Sequence, residues 1–162
     1  MTKYQTFERL TLADNMTNFS LRPAREAEAA QIKDLIHFVG INPMDLDWKR
    51  FIVAVNDQDE MIGCGQLKPH GKDILELASL AVYPEHQGKG IGRALIEYLV
   101  KDSSRPLYLM CESSVGPLYE KFGFREIPYE EMPRYFQRIS KLAGLVTTLA
   151  RREERLLVMK LQ

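Results

Sequence analysis

The sequence predicts an α/β (α+β) protein with a mixed, mostly antiparallel central sheet and helices on both faces. Three features carry that prediction. Between Phe51 and Tyr83, short apolar runs separated by turn residues give the pattern of antiparallel hairpins. Over residues 83–90 a strand passes through a glycine-rich turn directly into a helix. Further along, strand-like and helix-like runs alternate, as in βαβ units that lay helices over a sheet.

The elements follow in order. Residues 1–18 are polar and aperiodic and read as an N-terminal arm. Residues 19–22 form a short strand, and Pro23 starts a helix from a first-turn position. Ala27, Ile32, Leu35, Ile36 and Val39 give that helix its apolar face. Gly40 stops it, and Asn42-Pro43 opens a short second helix reaching Trp48. Residues 51–55 are a strand, 57–59 a turn and 61–67 the hairpin partner. His70-Gly71-Lys72 turns into a long strand over 73–83. The helix after Gly90 carries Ile91, Leu95, Tyr98 and Leu99 on one face. Residues 106–111 read as a buried strand, 113–122 as a helix stopped by Gly123, 124–127 as a strand and 155–161 as the last strand. No repeat or low-complexity tract interrupts the chain, so residues 19–162 are expected to form one domain with a helical insertion at about 130–153.

Composition narrows the function classes. The 162 residues are 45% hydrophobic and 27% charged, enough for a full core. Lys+Arg and Asp+Glu both number 22, so no global basic field attracts nucleic acid, and no nucleic-acid partner is expected. The longest apolar run, residues 74–83, is broken by Glu76 and is too short to cross a bilayer. The first nine residues have no apolar signal core. Cys64 and Cys111 lack CxxC spacing, and His37, His70 and His86 are scattered, so no metal site is expected. The chain reads as cytoplasmic with reduced thiols.

The most informative stretch is Val82-Tyr83-Pro84-Glu85-His86-Gln87-Gly88-Lys89-Gly90-Ile91-Gly92-Arg93-Ala94-Leu95. Its glycines allow a tight turn, and backbone N–H groups at the start of the following helix lack internal partners. Together with the helix dipole they form a phosphate site. A dinucleotide fingerprint fails because its third glycine falls on Arg93 or Leu95; a P-loop fails because Gly88-Lys89 is followed by Gly90 and position 83 is tyrosine. The order Gln-x-x-Gly-x-Gly resembles the pyrophosphate loop of the GCN5-related N-acetyltransferase (GNAT) family. About thirty residues on, Tyr119-Glu120-Lys121-Phe122-Gly123-Phe124 is similar to a second signature of that family, Tyr-x-x-x-Gly-Phe. The resemblance covers the chain from about Phe19 onward. It implies the acyl-CoA N-acyltransferase fold, whose fourth and fifth strands splay apart, with acetyl-CoA as cosubstrate and an amine-bearing acceptor.

The resemblance also implies roles. Backbone groups of Gln87, Gly88, Lys89, Gly90, Ile91, Gly92 and Arg93 would hold the diphosphate. Leu80, Ala81 and Val82 would pair with the pantetheine amides as an added strand, with an N–H near Leu80 facing the thioester oxygen. Tyr119 would protonate the departing thiolate, or else only pack against the sheet. The acceptor amine must lose a proton, and Glu76, set among Ile74, Leu75, Leu77 and Ala78, is the candidate base. Burial there raises a carboxyl pKa toward a useful value, whereas strand alternation would instead expose it to water. Glu76–Val82 also looks similar to the corresponding strand of amino-acid N-acetyltransferases.

Two features depart from the family pattern. Glu112 stands where many relatives carry asparagine, seven residues before the tyrosine. The segment 129–154 is longer than the usual connection between the last two strands. Its stripe of Met132, Tyr135, Phe136, Ile139, Leu142, Ala143, Val146 and Leu149 reads as a surface packed on the body, a lid over the acceptor pocket or a homodimer face. The expected activity is N-acetylation of a primary amine on a small molecule or amino acid. The alternatives are a protein lysine or N-terminal acetyltransferase, and a non-catalytic acyl-CoA-binding module.

Overall fold

The computed structural model describes residues 18–150 and 153–162; the N-terminal arm read over residues 1–18 lies outside them except for Asn18. The strands are β1 (Ser20–Pro23), β2 (Phe51–Val55), β3 (Met61–His70), β4 (Ile74–Val82), β5 (Leu107–Glu112), β6 (Arg125–Glu126) and β7 (Leu156–Leu161). The α-helices are α1 (Ala29–Phe38), α2 (Ile91–Lys101), α3 (Gly116–Glu120) and α4 (Arg134–Ala150). The strands form a seven-stranded mixed sheet in the order β1-β2-β3-β4-β5-β7-β6. β4 and β5 run parallel with the register Leu75↔Leu107 and Glu76↔Tyr108. β1–β2, β2–β3, β5–β7 and β6–β7 are antiparallel.

The chain divides into two compact units. One holds the described residues up to Leu67 together with Ser79–Asp102; the other holds Lys68–Ala78 and Ser103–Gln162. In the first, β2 alternates between two helices, as period-2 side-chain placement requires. Phe51, Val53 and Val55 pack with Ile32, Leu35 and Ile36 of α1. Ala54 and the half-buried Ile52 pack with Ile91, Ala94 and Leu95 of α2. Helices therefore cover both faces of the sheet here. In the second unit, Phe136 of α4 is wholly buried against Tyr108, Ile127 and Val158.

Several local expectations change. Pro23 ends β1 instead of starting a helix: it pairs with Ile52 on the edge strand, where a missing N–H is tolerated. The helical turn begins later, at Glu26–Glu28, where Glu28 Oε2 accepts the Arg25 backbone N–H at 2.7 Å. Residues 42–47 are not helical. Asn42 Oδ1 accepts from the Met44 N–H, Asp45 is left-handed (φ 55°), and a short 3₁₀ turn follows at Trp48–Arg50. Tyr98 is 45% exposed and leaves the α2 core face to Ile91, Leu95 and Leu99. α3 begins only at Gly116: the Ser113 N–H still donates to Arg155 O at 2.9 Å, and the Val115 N–H closes a turn on Glu112 O at 2.9 Å. In α4 the predicted stripe is buried at Phe136, half-buried at Tyr135, Ile139 and Ala143, and 64% exposed at Leu142; the side chains of Val146 and Leu149 lie outside those described.

Both cysteines are free thiols. Burial pushes Cys64 up to about 12. Cys111 is pushed up to about 11 by burial, with Glu126 and Glu112 adding to the effect.

Candidate active site

The glycine loop lies in the first unit. β4 ends where the Tyr83 N–H donates to Ile62 O at 3.1 Å, and a 3₁₀ turn, Pro84–His86, carries the chain out of the sheet. Gln87 anchors the loop to the strand it has left, its Nε2 donating to Val82 O at 3.1 Å. Gly88 and Gly90 take left-handed φ values of 74° and 81°. A Cβ at either would meet nothing within 4 Å, so backbone conformation rather than space calls for glycine. Gly90 is the N-cap of α2 and offers no capping side chain. The first-turn N–H groups of Ile91, Gly92 and Arg93 therefore have no intrahelical acceptor, at the positive end of an eleven-residue helix. Lys89 is exposed beside them. Arg93, 70% exposed, donates from Nε to Glu97 at 2.8 Å. A diphosphate fits this donor set.

Next to the loop, the three candidate pantetheine residues sit on alternate faces of β4. Leu80 and Val82 pack toward the α2 cluster, and Ala81 toward the α1 cluster. Just before them, Ser79 is left-handed (φ 55°) in mid-strand, an unusual conformation for a side-chain-bearing residue. It is held by its Oγ, which accepts from Gln66 Nε2 at 2.8 Å, and by its carbonyl, which accepts from Cys64 Sγ at 3.8 Å. Gln66 is wholly buried and its Oε1 has no hydrogen-bond partner among the described residues. Sequence reasoning missed this pair.

The second unit holds both candidate catalytic side chains. Glu76 is buried, which excludes the water-facing alternative. Its Oε2 lies 2.5 Å from His70 Nε2, the two side chains being 6% and 11% exposed. Burial pushes the Glu76 carboxyl above the ordinary carboxylate range, while the His70 hydrogen bond and the charge of Lys68 pull the other way. The His70 ring stacks on Tyr135 with centroids 3.7 Å apart and 23° between planes. Phe136 makes a T-shaped contact with that ring, centroids 6.1 Å apart and planes at 77°. Tyr135 is thus the aromatic of α4 that meets a polar group, while Phe136 is core.

The sequence placed His70 in a turn; β3 instead runs through it. The available signal was the alternation of Gln66, Lys68 and His70, which puts polar residues on one face of the end of β3.

Tyr119, on α3, is 9% exposed and meets Phe124 edge-on at 6.1 Å. Burial, with Cys111 beside it, pushes its phenol up to about 12. Its hydroxyl makes no hydrogen bond to a described residue.

Comparisons with known proteins bear on this arrangement. The family model described as an acetyltransferase (GNAT) domain matches residues 47–126, from the turn before β2 through β6. A mycothiol acetyltransferase from Renibacterium salmoninarum is 30% identical over 137 residues, covering 76% of this chain and 39% of that protein. An uncharacterised N-acetyltransferase of Shouchella clausii is 37% identical over 60 residues, covering 37% of this chain and 36% of that protein. The chain thus spans less than two fifths of the length of these relatives.

Among solved structures, N-acetylglutamate synthase from Neisseria gonorrhoeae, complexed with coenzyme A and N-acetyl-glutamate, superposes with TM-score 0.67. It is 22% identical, over 89% of this chain and 35% of that one. The ribosomal-protein-S18-alanine N-acetyltransferase of Escherichia coli gives TM-score 0.59 at 17% identity, over 88% and 92% of the two chains. These likenesses establish the fold. With the matched model spanning the glycine loop and the Tyr119 motif, residues 47–126 belong to the GNAT acetyltransferase domain family.

Proposed function

We propose that this protein is an acetyl-CoA-dependent N-acetyltransferase whose acceptor is the primary amine of a small molecule or amino acid. The observation that carries the reading is the loop at the start of α2. Two left-handed glycines lead into α2, and the N–H groups of Ile91, Gly92 and Arg93 have no intrahelical acceptor at the positive end of the helix. In the mechanism, Gln87–Arg93 hold the diphosphate and Leu80–Val82 offer backbone pairing to the pantetheine arm. The N–H near Leu80, after the left-handed Ser79, donates to the thioester oxygen as it gains charge. Glu76 stands at the centre of amine deprotonation. Tyr119 gives its proton to the thiolate as the C–S bond breaks. An amino-acid acceptor is supported by the Neisseria enzyme, which shares this fold and was solved with coenzyme A and N-acetyl-glutamate.

The test is free-thiol release from acetyl-CoA against the twenty amino acids, simple alkylamines and short peptides. Turnover with amino acids or alkylamines is expected. Turnover with peptides alone would make the acceptor a protein, and coenzyme A binding with no turnover on any amine would make the chain a binding module.

A further inference from the structure

The pairing of His70 with Glu76 is more than an ion pair. Both side chains are nearly inaccessible, and a buried pair is by itself a poor source of stability, since apolar residues of similar size would serve as well. The structure nevertheless fixes the imidazole on three sides. Nε2 is committed to Glu76 Oε2. One ring face lies flat on Tyr135, and Phe136 meets the ring in a T-shaped contact at 6.1 Å. Tilting the ring would break the stack, and a half-turn within its plane would break the hydrogen bond. With Nε2 as the donor, the tautomer is set and Nδ1 carries the lone pair; Nδ1 makes no hydrogen bond to a described residue. A carboxylate that orients an imidazole and faces the positive charge it gains is the arrangement of a histidine general base. The stacked ring of Tyr135 favours that positive charge as well.

We propose that His70 receives the proton of the acceptor ammonium at Nδ1, with Glu76 as the positioning residue and Tyr135 as the ring support. This rests on the acetyltransferase reading and refines it. Nδ1 takes one ammonium proton, leaving a free amine and an imidazolium against the Glu76 carboxylate. The amine nitrogen bonds to the thioester carbon, the C–S bond breaks as Tyr119 gives its phenolic proton to the thiolate, and the nitrogen's surplus proton passes through water to the Tyr119 phenolate and restores it. The imidazolium then returns its proton to water. The titratable groups that bear on the pair are Lys68 on β3, whose charge acts on Glu76, Tyr108, the register partner of Glu76 on β5, and Tyr135 on α4.

The test uses the whole chain, acetyl-CoA and the amine turned over fastest in the thiol-release panel. His70→Gln, which keeps a donor toward Glu76, is expected to lower kcat at least ~10²-fold and to erase the acid limb of the pH–rate profile. KM for acetyl-CoA should stay within about twofold, since uniform binding is untouched. His70→Ala should regain activity with added imidazole, in proportion to the neutral form. In the unmodified protein, the ¹⁵N resonances of His70 should titrate at the pH of the acid limb, a readout that needs no variant. A His70→Gln enzyme with near-normal kcat and an unmoved acid limb overturns the proposal, as does a His70 titration displaced from that limb. Absence of thiol release by the unmodified protein with every amine would instead overturn the transferase reading itself.

Discussion

Tyr119 carries the sharpest conflict between chemistry and environment. Its phenol is pushed up to about 12, whereas a thiol ordinarily titrates near 8.5. Full proton transfer to a thiolate in equilibrium would therefore run uphill, and the proton must move as the C–S bond breaks. Tyr119→Phe keeps the edge-on contact with Phe124 and removes only the hydroxyl. Turnover should drop roughly 10²-fold while calorimetry finds unchanged coenzyme A affinity and melting stays put. Near-normal turnover with chemistry rate-limiting would return the ring to packing. At this scale the sequence was readable where composition decides the outcome. The apolar neighbours of Glu76 pointed to a buried carboxylate where strand alternation also allowed a water-facing one, and it is buried. It was not readable where tertiary contacts decide. The left-handed Ser79 is held by Gln66 and Cys64, thirteen and fifteen residues away. The turn-like His70-Gly71-Lys72 hid a histidine that finishes a strand.

Among the elements, the loop between β4 and α2 is the one whose conformation and proposed role have a single cause. Gly90 is left-handed and caps α2 without a side chain. Gly90→Asp would supply its own acceptor to the first-turn N–H groups and set a negative charge where the diphosphate sits. Coenzyme A affinity should fall at least ~10²-fold by calorimetry, with the circular dichroism of the folded chain retained. Unchanged affinity would remove the diphosphate from this loop. Strands and long helices were legible from periodicity: β2 falls where it was read, and α4 ends at Ala150 within the expected insertion. Short helical pieces were not. Pro23 and Asn42-Pro43 carry helix-start signals, yet an edge pairing took the first and an Asn42 turn took the second. The order of the last strands, with β7 between β5 and β6, depends on a two-residue β6 that carries almost no pattern.

For the molecule as a whole, zero net charge hides two opposed pH responses. Arg22 donates to Glu28, Arg25 and then Arg22 donate to Asp59, and Arg155 donates to Glu126. These contacts hold all three carboxyls below their ordinary range, against the opposing effect of burial. A lowered folded pKa contributes stability that is present above the unfolded value and lost as pH falls through the folded one. Glu76 has the opposite sign: its raised pKa contributes stability below its ordinary value, lost as pH rises through the folded one. Urea midpoints should therefore fall steeply below about pH 4. Arg22→Met, which strands a Glu28 side chain that is only 12% exposed, should cost about 3 kcal/mol at pH 7 and flatten that acid limb. A variant with the wild-type profile would show the cluster to be idle.

The two raised thiols have a further effect on the whole chain. With Cys111 near 11 and Cys64 near 12, no more than about one in 10³ of either is thiolate at pH 8. Alkylating and disulfide-exchange reagents attack the thiolate, so the polypeptide is slow to react with both. The colour developed by such a reagent during turnover then counts departing coenzyme A, against a nearly silent protein background.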